Sequence, residues 1–182
     1  MTDEASFTKL GEEELLRSKA FRVVRSRFAG PDGTEFERTI VKHPGAVAVV
    51  PLHDDGTVTL VRQYRVALEH ELLELPAGTR DVAGEDEART AERELAEEAG
   101  LAAGQIEHLI RFHNAPGMSD EAIDVFLAQD LRAVPHDRQG AEEHAMTTER
   151  LPLVEAVAMT ADGRITDAKT ILGLTLTERR LR

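Results

Sequence analysis

Cysteine is absent from the 182 residues, which rules out disulfides and thiolate metal sites and suits a reducing compartment. Tryptophan is absent too, and tyrosine occurs once, at Tyr64, so no obvious residue stands ready to stack on a flat ligand. No apolar run approaches the roughly 20 residues that would cross a bilayer. The N-terminal stretch MTDEASFTKLGEEELL is polar and acidic, without a basic n-region or an apolar h-region; the expected location is the cytoplasm. Basic residues are in the minority, 22 against 34 acidic ones, for a net charge of −12. That balance argues against nucleic acid or an anionic membrane as the partner. It leaves room for a small phosphorylated ligand bridged by a cation. Internal repeats and low-complexity tracts are also missing.

What is present reads as a soluble, globular chain, with 41% hydrophobic and 31% charged residues. The length suits one domain, or one domain with an extension. FRVVRSRF (21–28) and EFERTIVK (35–42) have strand character and are joined by the turn-rich AGPDGT. GAVAVVPL (45–52) and TVTLVRQY (57–64) follow, linked by the turn HDDG. HELLELP (70–76) predicts a short strand stopped by Pro76 and Gly78, and IDVFLAQDL (123–131) another. Helical spacing covers 85–99, 153–161 and about 166–181. Strands and helices mixed in this order predict an α/β sandwich around a mixed sheet.

The helix at 85–99, EDEARTAERELAEEA, carries a narrow apolar stripe of Ala88, Ala91, Leu95 and Ala99. Glu85, Arg89, Arg93 and Glu97, spaced four apart, would form an ordinary ladder of charges on a solvated face. The last turn and a half fits that description badly. Glu94, Glu97 and Glu98 crowd together there just before Gly100, at the helix end that already carries partial negative charge. A hard divalent cation would remove the repulsion, because Mg²⁺ prefers carboxylate oxygens and keeps its waters for substrate phosphates.

From Gly78 to Leu101 the chain reads GTRDVAGEDEARTAERELAEEAGL, which resembles the box of the Nudix hydrolases, G-x5-E-x7-R-E-U-x-E-E-x-G-U, where U is bulky and apolar. Glu85, Arg93, Glu94, Leu95, Glu97, Glu98, Gly100 and Leu101 fall at the required spacings; the loop between Gly78 and Glu85 is one residue longer than the pattern. The resemblance implies a Nudix-type α/β/α sandwich around a mixed β-sheet. It assigns 43–182 to that domain, with 1–42 as an N-terminal β extension. It further implies two or three Mg²⁺ or Mn²⁺ ions, with Glu94 and Glu98 as principal ligands. Glu97 would support a further ion, the carbonyl of Ala77 would be another ligand, and Arg93 would hold the glutamates in place.

LVRQYR, ELPAG and Pro116, fifteen residues after Leu101, are similar to the ADP-ribose pyrophosphatase branch. An arginine can grip phosphate through two parallel hydrogen bonds, and VRQYR offers Arg65, favoured by the resemblance, and Arg62. Arg38 falls where the branch has substrate-binding arginines, often donated by a partner subunit in a homodimer. The base of the branch lies on a loop after the box; GAEEHAM (140–146) supplies Glu143, and then Glu142, for that role. The expected reaction is hydrolysis of ADP-ribose to AMP and ribose 5-phosphate. Hydrolysis of another nucleoside diphosphate sugar or a dinucleoside polyphosphate is the alternative, and a non-catalytic nucleotide-binding module is a third possibility.

Overall fold

The computed structural model describes residues 6–136 and 144–182. The chain divides into two compact units: Met1–Gly45 with His113–Ala122, and Ala46–Phe112 with Ile123–Arg182.

In the first unit, β1 (Thr8–Arg17), β2 (Arg22–Ala29) and β3 (Glu35–Lys42) form an antiparallel sheet in sequence order. β2 and β3 pair without a break from Arg22↔Lys42 to Ala29↔Glu35, within a residue of the expected strands. β1 has no counterpart among the expected strands. Nearly all of its residues are exposed, so no buried face imposes an alternating pattern, and two register shifts interrupt its pairing with β2. Phe28 stacks on Phe36 at 5.7 Å, and Phe7 meets Phe36 edge-on at 6.0 Å. Residues 113–122 dock on the end of β3. The Val41 N–H donates to the Met118 carbonyl at 2.9 Å, and Lys42 Nζ and the His43 N–H donate to Asp120 at 2.8 and 2.9 Å.

In the second unit, β4 (Ala46–Pro51), β7 (Ala77–Thr79), β8 (Leu101–His113) and β9 (Ala122–Ala133) form a sheet of order β7-β4-β9-β8. β4 runs parallel to β9 and antiparallel to β7, so the sheet is mixed, as expected. A second sheet has the order β10-β5-β6, built from β10 (Thr147–Pro152), β5 (Thr57–Arg65) and β6 (His70–Glu74). Side chains alternate across the first sheet. Val47, Val49, Phe126 and Ala128 pack with Ala91, Leu95 and Ala99 of α1 (Glu87–Ala99). Ala48, Val50, Val125 and Leu127 face the other way. They pack with Leu153, Ala156 and Met159 of α2 (Leu153–Ala161) and Leu174 of α3 (Ala168–Leu181). Helices therefore cover both faces, the α/β/α layering that the resemblance implies.

α1 begins two residues later than the spacing predicts. Asp86 caps it by accepting from the Arg89 N–H, which leaves Glu85 outside the helix. Gly100 ends it with φ of 65° and an N–H bonded to the Ala96 carbonyl. β8 starts on the next residue. Neither it nor β10 is foreseen from the sequence: the burial of β8 follows no regular period, and β10 alternates but half-buries only Glu149 and Leu151, which makes no apolar pattern.

Candidate active site

Residues 74–78, ELPAG, join the end of β6 to β7 and touch every part of the site in turn. Glu74 is fully buried, flanked by the core residues Leu73 and Leu75. The Leu75 N–H donates to Thr170 Oγ1 at 2.9 Å. The Pro76 carbonyl accepts from the Val49 N–H at 2.9 Å, which ties the segment to β4. The Ala77 N–H donates to Glu98 Oε2 at 2.8 Å. At Gly78 a Cβ would stand 2.0 Å from Cδ of Glu94 and 2.1 Å from its Oε1, so the carboxylate lies where any other residue would place its side chain. Only glycine at this position leaves the Glu94 carboxylate where it lies.

These contacts seat Glu94 and Glu98 of α1 against the backbone of residues 77–78, with 8% and 5% of their surface exposed. The narrow alanine stripe lets α1 lie close enough to the sheet for that contact. Arg93 backs the cluster. Its Nη1 is 2.7 Å from Glu94 Oε1 and 3.1 Å from Glu97 Oε2, its Nε is 3.5 Å from Glu85, and its Nη2 is 3.6 Å from Asp81. Burial works against its charge, but Glu94, Glu97 and Glu85 outweigh it, and the guanidinium is held above its usual pKa. Thr90 Oγ1 donates to Glu85 at 2.9 Å, fixing that carboxylate at the start of the helix.

Arg65 Nε and Nη2 both donate to Glu74, at 2.7 and 2.6 Å. Those bonds raise the arginine's pKa against its burial, with smaller pulls from Asp167 and Glu98. Lys169, on the first turn of α3, also donates to Glu74. Burial pushes the Glu74 carboxyl up, but hydrogen bonding by Arg65 and the charges of Lys169 and Arg65 leave it below its ordinary value. Glu74, Lys169, Asp167 and Thr170 are absent from the sequence reading. The one signal was a glutamate inside the otherwise apolar LLELP, which marks a buried charge that needs partners.

Arg62 behaves differently. Its Nε donates to Glu149 of β10 at 2.5 Å, which commits it to a strand pair. Arg38 lies in the N-terminal unit, with its guanidinium 4.8 Å over the Phe36 ring. There it lines a cavity of about 380 Å³ with Phe7, Phe28, Lys42, Pro116 and Met118. Glu142 and Glu143 lie outside the described residues.

Among the described residues, no group of three or more histidine, aspartate or glutamate side chains stands arranged to hold a metal ion. Mg²⁺ does not require one. It is usually held by one or two carboxylates together with water and substrate phosphates, rather than by an all-protein cage. Two nearly buried carboxylates, seated on a glycine backbone and backed by an arginine, supply hard oxygen donors of that kind. The residues present fit a divalent cation.

The NUDIX domain model matches residues 42–172. The chain is 39% identical over 171 residues to the ADP-ribose pyrophosphatase of Mycobacterium tuberculosis, covering 94% of this chain and 83% of that protein. It is 34% identical over 161 residues to the ADP-ribose pyrophosphatase of Bacillus subtilis, covering 88% and 86%. A solved structure of an ADP compounds hydrolase superposes with a TM-score of 0.82 at 26% identity, covering 97% of this chain and 94% of that one.

Proposed function

The chain belongs to the Nudix family, and we propose that it hydrolyses the diphosphate bond of ADP-ribose to AMP and ribose 5-phosphate. One observation carries the chemistry: Glu94 and Glu98 are gathered, nearly buried, against the backbone of Ala77 and Gly78. The two ADP-ribose pyrophosphatases, similar over most of their length, supply the substrate.

In this reading Glu94, Glu98 and the Ala77 carbonyl hold Mg²⁺ or Mn²⁺, Glu97 supports a second or third ion, and Arg93 keeps the carboxylates gathered. When bound, the cation neutralises the diphosphate and acidifies the attacking water. Arg65 offsets charge that develops on the phosphoryl oxygens. Its Nε and Nη2 are taken by Glu74, which leaves Nη1 for the phosphate. Glu143, or else Glu142, accepts the proton of the water as it attacks phosphorus. Arg62, tied to Glu149, has the weaker claim on substrate. Arg38 and Pro116 line a cavity that suits a flat base, because Phe28 and Phe36 give it aromatic walls. The reading includes a cytoplasmic homodimer paired through the N-terminal strands; Phe7, Leu10, Leu15 and Leu16 of that region are exposed and would be covered by a partner copy.

The test is ³¹P NMR of purified protein with ADP-ribose and Mg²⁺, with EDTA in a control and ADP-glucose, GDP-mannose and diadenosine polyphosphates in parallel tubes. The expected result is AMP and ribose 5-phosphate formed only with metal and faster than any parallel product. Faster turnover in another tube would overturn the substrate, and nucleotide binding without turnover would overturn the reaction.

A further inference from the structure

We propose that Glu74, supported by Lys169 and Asp167, is a positioning residue that presents the guanidinium of Arg65 to the substrate diphosphate. The inference rests on the function proposed above.

Four charges meet behind the site. Arg65 and Lys169 both reach Glu74, and Lys169 Nζ also lies 3.0 Å from Asp167 Oδ1. A buried network of this kind is a poor source of stability, since apolar residues of similar volume serve as well or better. Its geometry suits a different purpose. The Glu74 side chain is 1% exposed, whereas that of Arg65 is 39% exposed. One edge of the guanidinium, Nε and Nη2, is therefore clamped by a two-pronged bond to a buried carboxylate, on a side chain that still reaches solvent. A guanidinium held in one plane gives up less freedom when it binds phosphate. Lys169 has a second effect. It shares Oε2 of Glu74 with Arg65 Nη2, so one carboxylate is divided between two cations. Part of the positive charge on Arg65 is left to act on an anion.

The clamp is also placed in register with the box. The Leu75 N–H donates to Thr170 Oγ1, and that hydroxyl donates to Asp167 Oδ2 at 2.6 Å. The first turn of α3 thus holds residues 74 and 75, while residues 77 and 78 hold Glu98 and Glu94. One five-residue segment fixes the arginine and both carboxylates relative to each other.

The test compares wild type, Arg65→Ala, the pair Glu74→Gln with Lys169→Met, and all three substitutions together. Each is characterised by its thermal midpoint and by calorimetric affinity for α,β-methylene ADP-ribose, with and without Mg²⁺. Substituting Glu74 and Lys169 together removes the two most buried charges of the network as an opposite pair and leaves the better exposed Arg65 and Asp167, so the fold survives. The expected result is a midpoint at or above that of wild type and affinity about tenfold weaker, the scale of losing an outer-shell partner. The triple variant binds no worse than Arg65→Ala alone, because Glu74 acts through Arg65. Affinity unchanged in the pair, losses that add in the triple variant, or a pair that unfolds while Arg65→Ala does not would each overturn the proposal. If wild type hydrolyses a different nucleoside diphosphate, the substrate is wrong and the same variants are judged on that compound's KM. A wild type that hydrolyses no diphosphate overturns both readings.

Discussion

In the N-terminal sheet, Arg17 meets Glu14 at 2.6 Å and Arg25 meets Glu13 at 3.4 Å, with more than a third of every one of these side chains in solvent. On α1, Arg93 meets Glu94 at 2.7 Å, and the two side chains are 28% and 11% exposed. The residue types and distances are much the same, but the surroundings differ. Water and salt screen the exposed pairs, each pair must be ordered at the expense of side-chain entropy, and either partner can be lost with little consequence. On α1 the arginine stands among several carboxylates whose repulsion it offsets, and two of them are held from behind by backbone and by the glycine at position 78. Charge in the first setting decorates a strand; in the second it gathers nearly buried carboxylates at one end of a helix.

Substitutions that break this contrast should rank accordingly. Glu98→Gln should have the largest effect, lowering kcat/KM for ADP-ribose by more than about 100-fold, since outer-shell partners of a metal alone cost 10–100-fold. Its thermal midpoint should stay close to that of wild type, and steady-state kinetics with calorimetry would check both. Gly78→Ala should follow. The new methyl group displaces only the far end of the Glu94 side chain, so folding is nearly unaffected, yet a carboxylate moved by about 1 Å is expected to cost about 100-fold in rate. Leu95→Ala acts on packing instead. It opens a cavity between α1 and the sheet and should lower unfolding free energy by about 2–5 kcal/mol, measurable in urea. Arg25→Ala, on the exposed sheet, should leave both activity and midpoint within error.

Acid sharpens the comparison further. Glu74 titrates below its ordinary value of 4.5 in the folded protein. A depressed carboxyl contributes stability that is complete above the unfolded pKa and is lost as pH falls through the folded one. Thermal midpoints of wild type should therefore fall on acidification below about pH 4.5. They should fall less steeply in the variant carrying Glu74→Gln and Lys169→Met.

The two regions also differ in how much of them could be read from the chain. Spaced residues alone located the α1 carboxylates, because a helix places Glu94 and Glu98 on one face and Gly100 marks its end. β4 and β9 were legible for a similar reason: both faces are buried, and apolar runs follow. β1, β8 and β10 were not, since β1 is exposed, β8 is unevenly buried and β10 half-buries only Glu149 and Leu151, so none leaves an apolar period to find. Glu74 could be seen as an odd charge in an apolar strand. Its partners Lys169 and Asp167 could not be named, because they lie more than 90 residues away in sequence and only tertiary structure brings them to it. The docking of residues 113–122 on β3 was hidden for the same reason.

The most direct test of the account is Mn²⁺ binding followed by electron paramagnetic resonance without nucleotide, in wild type and in the variant carrying Glu94→Gln and Glu98→Gln. If these two carboxylates form the metal site, wild type binds the ion and the variant binds it at least about tenfold more weakly, with the fold intact. Equal binding by the two proteins would contradict the account and place the metal elsewhere.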